Sequence, residues 1–223
     1  MDSASGVRRG GRAKQAAEND VRIFDAARRV LTADPRASVA AVGAAAGVGK
    51  SAIYLRYPSK ETLLQRVAEE CTRRFTALID DAHDALDAAN SASAVLDDFL
   101  AGMLDLDIHA FMWATNGTYT PTDDDVRASR LGNERGLALV ARFHDAGVLR
   151  SDATWNDLND WISAISTITS HDPDRVPMRR RRMLSALRSG LEPGHPPLSG
   201  TSAKPIDFWP PDVKGFAGRE DIV

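Results

Sequence analysis

A chain of 223 residues with 43% hydrophobic and 26% charged positions has apolar material for one large globular domain or two small ones. It has no run of 18 apolar residues and no apolar signal core, which argues against membrane spanning and secretion and for a cytoplasmic protein. The net charge of −3 hides a split: residues 1–66 carry 12 Lys/Arg against 6 Asp/Glu, and residues 67–223 carry 16 against 25. A basic third joined to an acidic remainder suits a nucleic-acid-reading head on a body that stays off the polyanion.

Residues 1–16 lack apolar periodicity and hold Arg8, Arg9, Arg12 and Lys14 among Gly, Ser and Ala. This is the pattern of a disordered basic arm, either a phosphate-following segment or a plain solubilising tail. A helix is predicted from about Ala17 to Ala33, burying Val21, Ile23, Phe24, Ala27, Val30 and Leu31 and ending at Asp34-Pro35. Asp25, Arg28 and Arg29 fall on its solvent side.

Ser38 to Lys60 reads SVAAVGAAAGVGKSAIYLRYPSK. Ser38 is a good N-cap for a helix over Val39–Ala46, whose apolar side is Val39, Val42, Ala45 and Ala46. Gly47 can take positive φ and turn the chain. A second short helix, about Lys50 to Tyr57, sends Ile53 and Tyr57 to the core, and Pro58 stops it. Its outside carries Lys50, Ser51, Ala52, Tyr54, Leu55 and Arg56. Ser59 then caps a third helix, with Lys60 and Glu61 in its first turn. Two short helices across a tight turn are the layout of a helix-turn-helix, whose second helix enters a DNA major groove.

Ala44 to Ser51 also fits a permissive phosphate-binding loop, A-x-x-x-x-G-K-S. That chemistry needs a buried strand before the loop and a long helix after it. Here the preceding residues are helical in period, and Pro58 cuts the following helix short.

Ile23 to Ala27, Ala46-Gly47-Val48, Ile53-Tyr54 and Tyr57 to Leu64 together resemble the DNA-binding domain of the TetR family of bacterial transcriptional repressors. The resemblance covers residues 18 to 66 and, beyond them, architecture only. It implies an all-α fold: a helix-turn-helix domain over 17–66 and a helical ligand-binding and dimerisation domain over 67–191. It implies phosphate contacts from Ser38, Tyr54 and Lys60. Lys50, Ser51 and Arg56 have the groups to bond base edges or phosphates, and Ala52 and Leu55 offer apolar contact to a thymine methyl. Two positions depart from the family pattern. Gly49 replaces a frequent Ser or Thr and weakens the N-cap, and Leu55 stands where a basic or aromatic residue is common.

The helix opening at Ser59 runs to about Ala89, with Leu64, Val67, Cys71, Phe75, Leu78, Ala82 and Leu86 as one stripe. A stripe that long can join head and body in one piece. The lone Cys71 lies on it and reads as a buried thiol. After the break at residues 90–93 a helix carries Val95, Leu96, Phe99, Leu100, Met103 and Leu104. Residues 107–121 are aromatic-rich, and Gly117 and Pro121 mark a loop. Thr122 and the acids after it open a helix burying Val126, Leu131 or Leu137, Val140 and Phe143, closed by Gly147. Thr154 with Asp157 forms a capping box for a helix with Trp155, Leu158, Trp161, Ile162, Ile165 and Ile168. A last helix, about Asp174 to Gly190, carries Val176, Met183, Leu184, Leu187 and the run Arg179–Arg182, expected at the surface in ion pairs. Residues 192–223 form a Pro/Gly-rich tail, either disordered or strapped over the body.

A ligand site in the body would be mostly apolar with a few polar groups. The candidates are Phe99, Met103, Leu106, His109, Trp113, Asn116, Tyr119, Arg135 and Trp161, all of which also suit an ordinary core. The last two helices resemble the family's dimer-forming pair, which would bury Ile162, Ile165, Leu184 and Leu187 between subunits. No catalytic constellation, metal spacing or cofactor motif is present. The expected protein is a ligand-responsive homodimer that binds a palindromic double-stranded operator, is released by a small molecule, and sits in the cytoplasm at the nucleoid. The alternatives are a nucleotide hydrolase built on the Ala44–Ser51 loop and a helical scaffold.

Overall fold

The computed structural model describes residues 19–88, 91–115, 118, 121–168 and 170–202. Those residues form helices and turns, with no strand among them. The expected basic arm and the end of the tail, residues 203–223, lie outside the described residues. The helices are α1 (19–33), α2 (Val39–Ala45), α3 (Lys50–Arg56), α4 (Lys60–Asp87), α5 (Ala92–Leu106), α6 (Ile108–Thr115), α7 (Asp123–Asp145), α8 (Trp155–Ser166) and α9 (Val176–Gly190). A 3-10 turn, Pro173–Arg175, leads into α9.

The chain divides into two compact units. One is Met1–Glu70 with Phe111–Tyr119, and the other is Cys71–Ala110 with Thr120–Val223. The first unit, the head, holds α1 to α3, the opening of α4 and the second half of α6. Its core is Ile23, Phe24, Ala26, Ala27, Leu31, Val39, Val42, Ile53, Leu63, Leu64 and Val67. Val21, expected inside, is 50% exposed. A stripe of 3.6-residue period already filled by Ile23, Ala27 and Leu31 leaves no covered place two residues before Ile23. Asp25 and Arg28 are half-buried instead of solvent-facing. In α2, Ala45 faces water and Gly43 is buried in its place.

The second unit, the body, buries one continuous apolar cluster. It contains Ile79, Leu96, Phe99, Leu100, Met103, Leu139, Phe143, Trp155, Leu158 and Ile162. The capping box expected at Thr154/Asp157 opens α8, Thr122 opens α7 as expected and forms a second box with Asp125, and Ser91, within the expected break, caps α5. Each box satisfies two of the backbone N–H groups that a helix start leaves orphaned. α7 departs from its apolar pattern. Leu131 and Leu137 are both exposed, and Gly132, Gly136 and Leu139 face inward. At Gly136 the reason is Trp155, whose indole packs directly against the bare backbone there. The aromatic stretch after Asp107 is helical too, as α6. Asp107 separates α5 from α6 with φ 48°, in the left-handed region. Arg180 on α9 pairs with that carboxylate at 3.0 Å and donates to the carbonyls of Ser166 and Ile168.

Residues 191–202 strap one end of the body. The buried Arg150 donates to both Asp152 oxygens and to the carbonyls of Gly190 and Pro196, and Leu198 N–H donates to Asp152. The Arg150 guanidinium holds the Asp152 carboxyl far below the usual carboxylate range.

A Cβ at Gly136 would lie 2.4 Å from two ring atoms of Trp155. Alanine normally stabilises a helix interior relative to glycine. Here the overlap with a rigid ring outweighs that gain. Gly136→Ala is expected to lower stability by roughly 1–3 kcal/mol, the scale of core overpacking, measured by urea denaturation.

Candidate nucleic-acid interface

The geometry of α3 begins with the turn before it. Ser38 Oγ accepts from Ala41 N at 3.2 Å and starts α2. Gly47 has φ +68°, and Val48 N–H returns to the Gly43 carbonyl at 2.8 Å, which folds the chain back sharply. Gly49 is the N-cap of α3 and offers no side-chain bond, the weakness its composition predicts. The anchor is Ile53, fully buried and the only buried residue of the helix. It lies where a Cβ on Gly43 would come within 2.8 Å of its Cγ2, so α2 and α3 meet over a bare backbone.

With Ile53 inward, the remaining side chains of α3 are exposed: Lys50, Ser51, Ala52, Tyr54, Leu55 and Arg56. Leu55 is 88% exposed, the most open of the large apolar side chains described. The three cations proposed for DNA differ in their attachments. Lys50 has no ion-pair or hydrogen-bond partner among the described residues. Arg56 donates to Asp20 on α1. Lys60 donates to the carbonyl of Pro35 in the α1–α2 connection. Arg36, two residues before the Ser38 cap, is exposed, and its side chain has no ion pair among the described residues. It is not among the residues that the sequence pattern singles out. Its signal was a cation just ahead of a helix N-terminus, a place where phosphates are held.

The rival phosphate loop has no support here. Residues Ala44–Ser51 cross the end of α2, the turn and the start of α3, with no strand before them. The helix that follows has seven residues.

The candidates for a ligand site spread over several settings in the body. Phe99 and Met103 are deep in its core. The Phe99 ring stacks on Trp155 at 6.2 Å, Phe75 lies 5.8 Å from Trp155, and His109 meets Phe75 edge-on at 6.3 Å. Leu106 and Trp161 are half-buried. Arg135 is committed to a two-pronged bond with Asp80 at 2.9 and 2.7 Å. Asn116, Tyr119 and the side chain of Trp113 lie outside the described residues. Burial pushes the His109 imidazole down to about 4, against the opposing pull of Asp107, so it is neutral at pH 7. Among the described residues no group of three His, Cys, Asp or Glu is placed to hold a metal.

The four residues expected between subunits have these surroundings within one copy. Ile162, Ile165 and Leu184 are buried in the body's own core, and Leu187 packs against it. A single copy already covers them. The large apolar side chains that α9 leaves open are Met178, 61% exposed, and Met183, 51% exposed. The arginine run splits as its helical spacing requires: Arg180 and Arg181 pair with Asp107 and Asp105.

Residues 23–67 match the family model described as bacterial regulatory proteins, tetR family. No curated protein sequence matches the chain. Among solved structures the chain is similar to the TetR-like regulator LfrR of Mycobacterium smegmatis in complex with proflavine. The identity is 21% over 79% of this chain and 98% of that one, with TM-score 0.52. A TetR regulator of Streptomyces coelicolor matches at 22% over 79% and 99%, TM-score 0.54. Another, from Mycobacterium vanbaalenii, matches at 23% over 81% and 98%, TM-score 0.51. At these identities the likeness is one of fold. No helix among the described residues is long and apolar enough to cross a membrane.

The depressed His109 has a measurable consequence for the body. An unfolded chain protonates this imidazole near 6.5 and the folded one only near 4. Between those values the unfolded state binds more protons, so stability falls as pH drops from about 6.5 and the fall levels off near 4. Urea unfolding at several pH values should show this slope, and His109→Phe should remove its share of it.

Proposed function

We propose that the chain, whose residues 23–67 match the family model described as bacterial regulatory proteins, tetR family, is a dimeric, ligand-released repressor of transcription. One observation carries this: a short helix anchored by Ile53 alone, with Lys50, Ser51, Ala52 and Leu55 all turned to solvent. That face has a cation for guanine or phosphate, a hydroxyl for either, and apolar groups for a thymine methyl. Ser38, Arg36 and Tyr54 flank it as phosphate contacts.

A seven-residue helix touches too few bases for a unique address. Two heads on a two-fold axis read a palindrome whose halves lie about one turn, roughly 34–36 Å, apart. The open apolar side chains of α9, Met178 and Met183, support a second copy on that helix in place of the four residues spent on the core. The body takes the effector. The aromatic group of Phe75, Phe99 and Trp155 with neutral His109 beside it suits a flat, largely apolar molecule with one polar group. LfrR, a regulator of like fold, is solved in complex with proflavine. Release of DNA by an effector requires a coupling of about 1–3 kcal/mol between the two sites. α4 is one unbroken helix, Lys60–Asp87, that begins in the head and ends in the body, and it is the covalent route for that coupling. The protein acts by binding and not by catalysis, in the cytoplasm where its DNA lies.

The test is titration of the purified chain onto the intergenic DNA beside its own gene. Sequence-dependent binding to an inverted repeat is expected, and nucleotide binding without DNA binding would reject the proposal. Lys50→Ala should cost roughly 1–3 kcal/mol of operator affinity if it bonds a base. Against a phosphate it should instead weaken all sequences alike and lower the salt slope by about one unit.

A further inference from the structure

Arg56 has the sequence position of a DNA contact, and the structure gives it another occupation. Its Nη2 donates to Oδ2 of Asp20 on α1, 36 positions earlier in the chain. The half-buried Tyr57 phenol stands beside both groups. Burial pushes that phenol up, and the Asp20 carboxylate adds to the effect. The cluster therefore ties the end of α3 to α1 through three side chains.

Asp20 is the informative member. A carboxylate in a basic, DNA-facing head opposes the approach of a polyanion. One of its oxygens, Oδ1, is buried with no partner among the described residues, and such desolvation is costly. The bond it does make is the one to Arg56. Lys60 is likewise committed within the head, to the Pro35 carbonyl. A paired arginine carries no net charge to the phosphates and displaces no counterion from them.

We propose that Arg56 is a positioning residue: its pair with Asp20 sets the angle of α3 on α1, and Lys50, Ser51, Ala52 and Leu55 do the reading. This rests on the DNA-binding reading of α3. It makes the inclination of the recognition helix depend on a single ion pair at its far end. Ile53 holds the middle of the helix and Asp20–Arg56 holds its last turn.

The experiment is operator binding by the full chain carrying Asp20→Asn, Arg56→Gln or both, at several salt concentrations. Each single variant should bind at least fivefold more weakly. The double variant should be no weaker than the worse single one, because the two changes break one interaction. The slope of log affinity against log salt should stay at the wild-type value in Arg56→Gln. Asp20→Asn that binds as tightly as wild type or tighter would overturn the proposal. So would additive losses, or a slope reduced by about one unit in Arg56→Gln, the mark of a phosphate contact. Should Arg56→Gln lose its helical circular dichroism, Arg56→Lys takes its place. It keeps the charge for a phosphate and loses the planar guanidinium whose Nη2 meets Asp20 Oδ2. Weakened binding at unchanged slope supports the pair, and wild-type binding refutes it. If Lys50→Ala has no effect and the unaltered chain shows no sequence preference, the DNA reading itself falls. That result differs from failure of the pair alone, in which both behave as expected.

Discussion

The head depends on one contact, the burial of Ile53 against the bare backbone of Gly43. Seven residues are too few to form a helix in water, because nucleation costs more than so few bonds return. α3 exists because α2 holds it, and α2 holds it through that side chain, the Gly47 turn and the Val48–Gly43 backbone bond. Helix formation and presentation are thus one event. The packing that makes the helix stable consumes one side of it and leaves the other to solvent.

Charge adds a second layer. The head's excess of cations attracts a polyanion at long range, but the cations are not equivalent. Arg56 and Lys60 are bonded inside the head, whereas the side chains of Lys50 and Arg36 have no ion pair among the described residues. Composition reports the attraction, and only geometry reports which charges are available for it. In the body the same sorting appears along α9. Arg180 closes on the left-handed residue Asp107 and the largely covered Arg188 meets Asp97, while Arg181 and Asp105 pair at the surface. The exposed pair contributes little to stability. The largely covered Arg180–Asp107 pair fixes the junction between α5 and α6.

Much of this was legible in the sequence, and the reasons for the misses are physical. Caps and breakers act locally, so Ser38, Gly47, Ser59, Thr122/Asp125 and Thr154/Asp157 gave helix boundaries nearly to the residue. Apolar periodicity identified the faces of α4 and α5 because both are long and regular. It failed where glycine replaced a side chain at a close contact. A hydrophobicity pattern scores Gly43, Gly132 and Gly136 as nothing, yet each marks a covered surface, and at Gly136 the exposed Leu131 and Leu137 were favoured instead. α6 leaves little periodic signal, because its eight residues, IHAFMWAT, are nearly all apolar or aromatic and show no polar face. Pairings such as Asp20–Arg56 and Asp80–Arg135 span tens of residues and leave no local trace. Likewise the burial of Ile162, Ile165 and Leu184 within the body's own core depends on contacts distant in sequence.

Presentation of α3 as a two-fold pair is the centre of the account, and a hydroxyl-radical footprint on the DNA beside the gene tests it most directly. Two symmetric protected patches on one face of the duplex, centred about one helical turn or a small multiple of it apart, are the predicted result. Protection spread evenly along the duplex, or a single asymmetric patch, would contradict it.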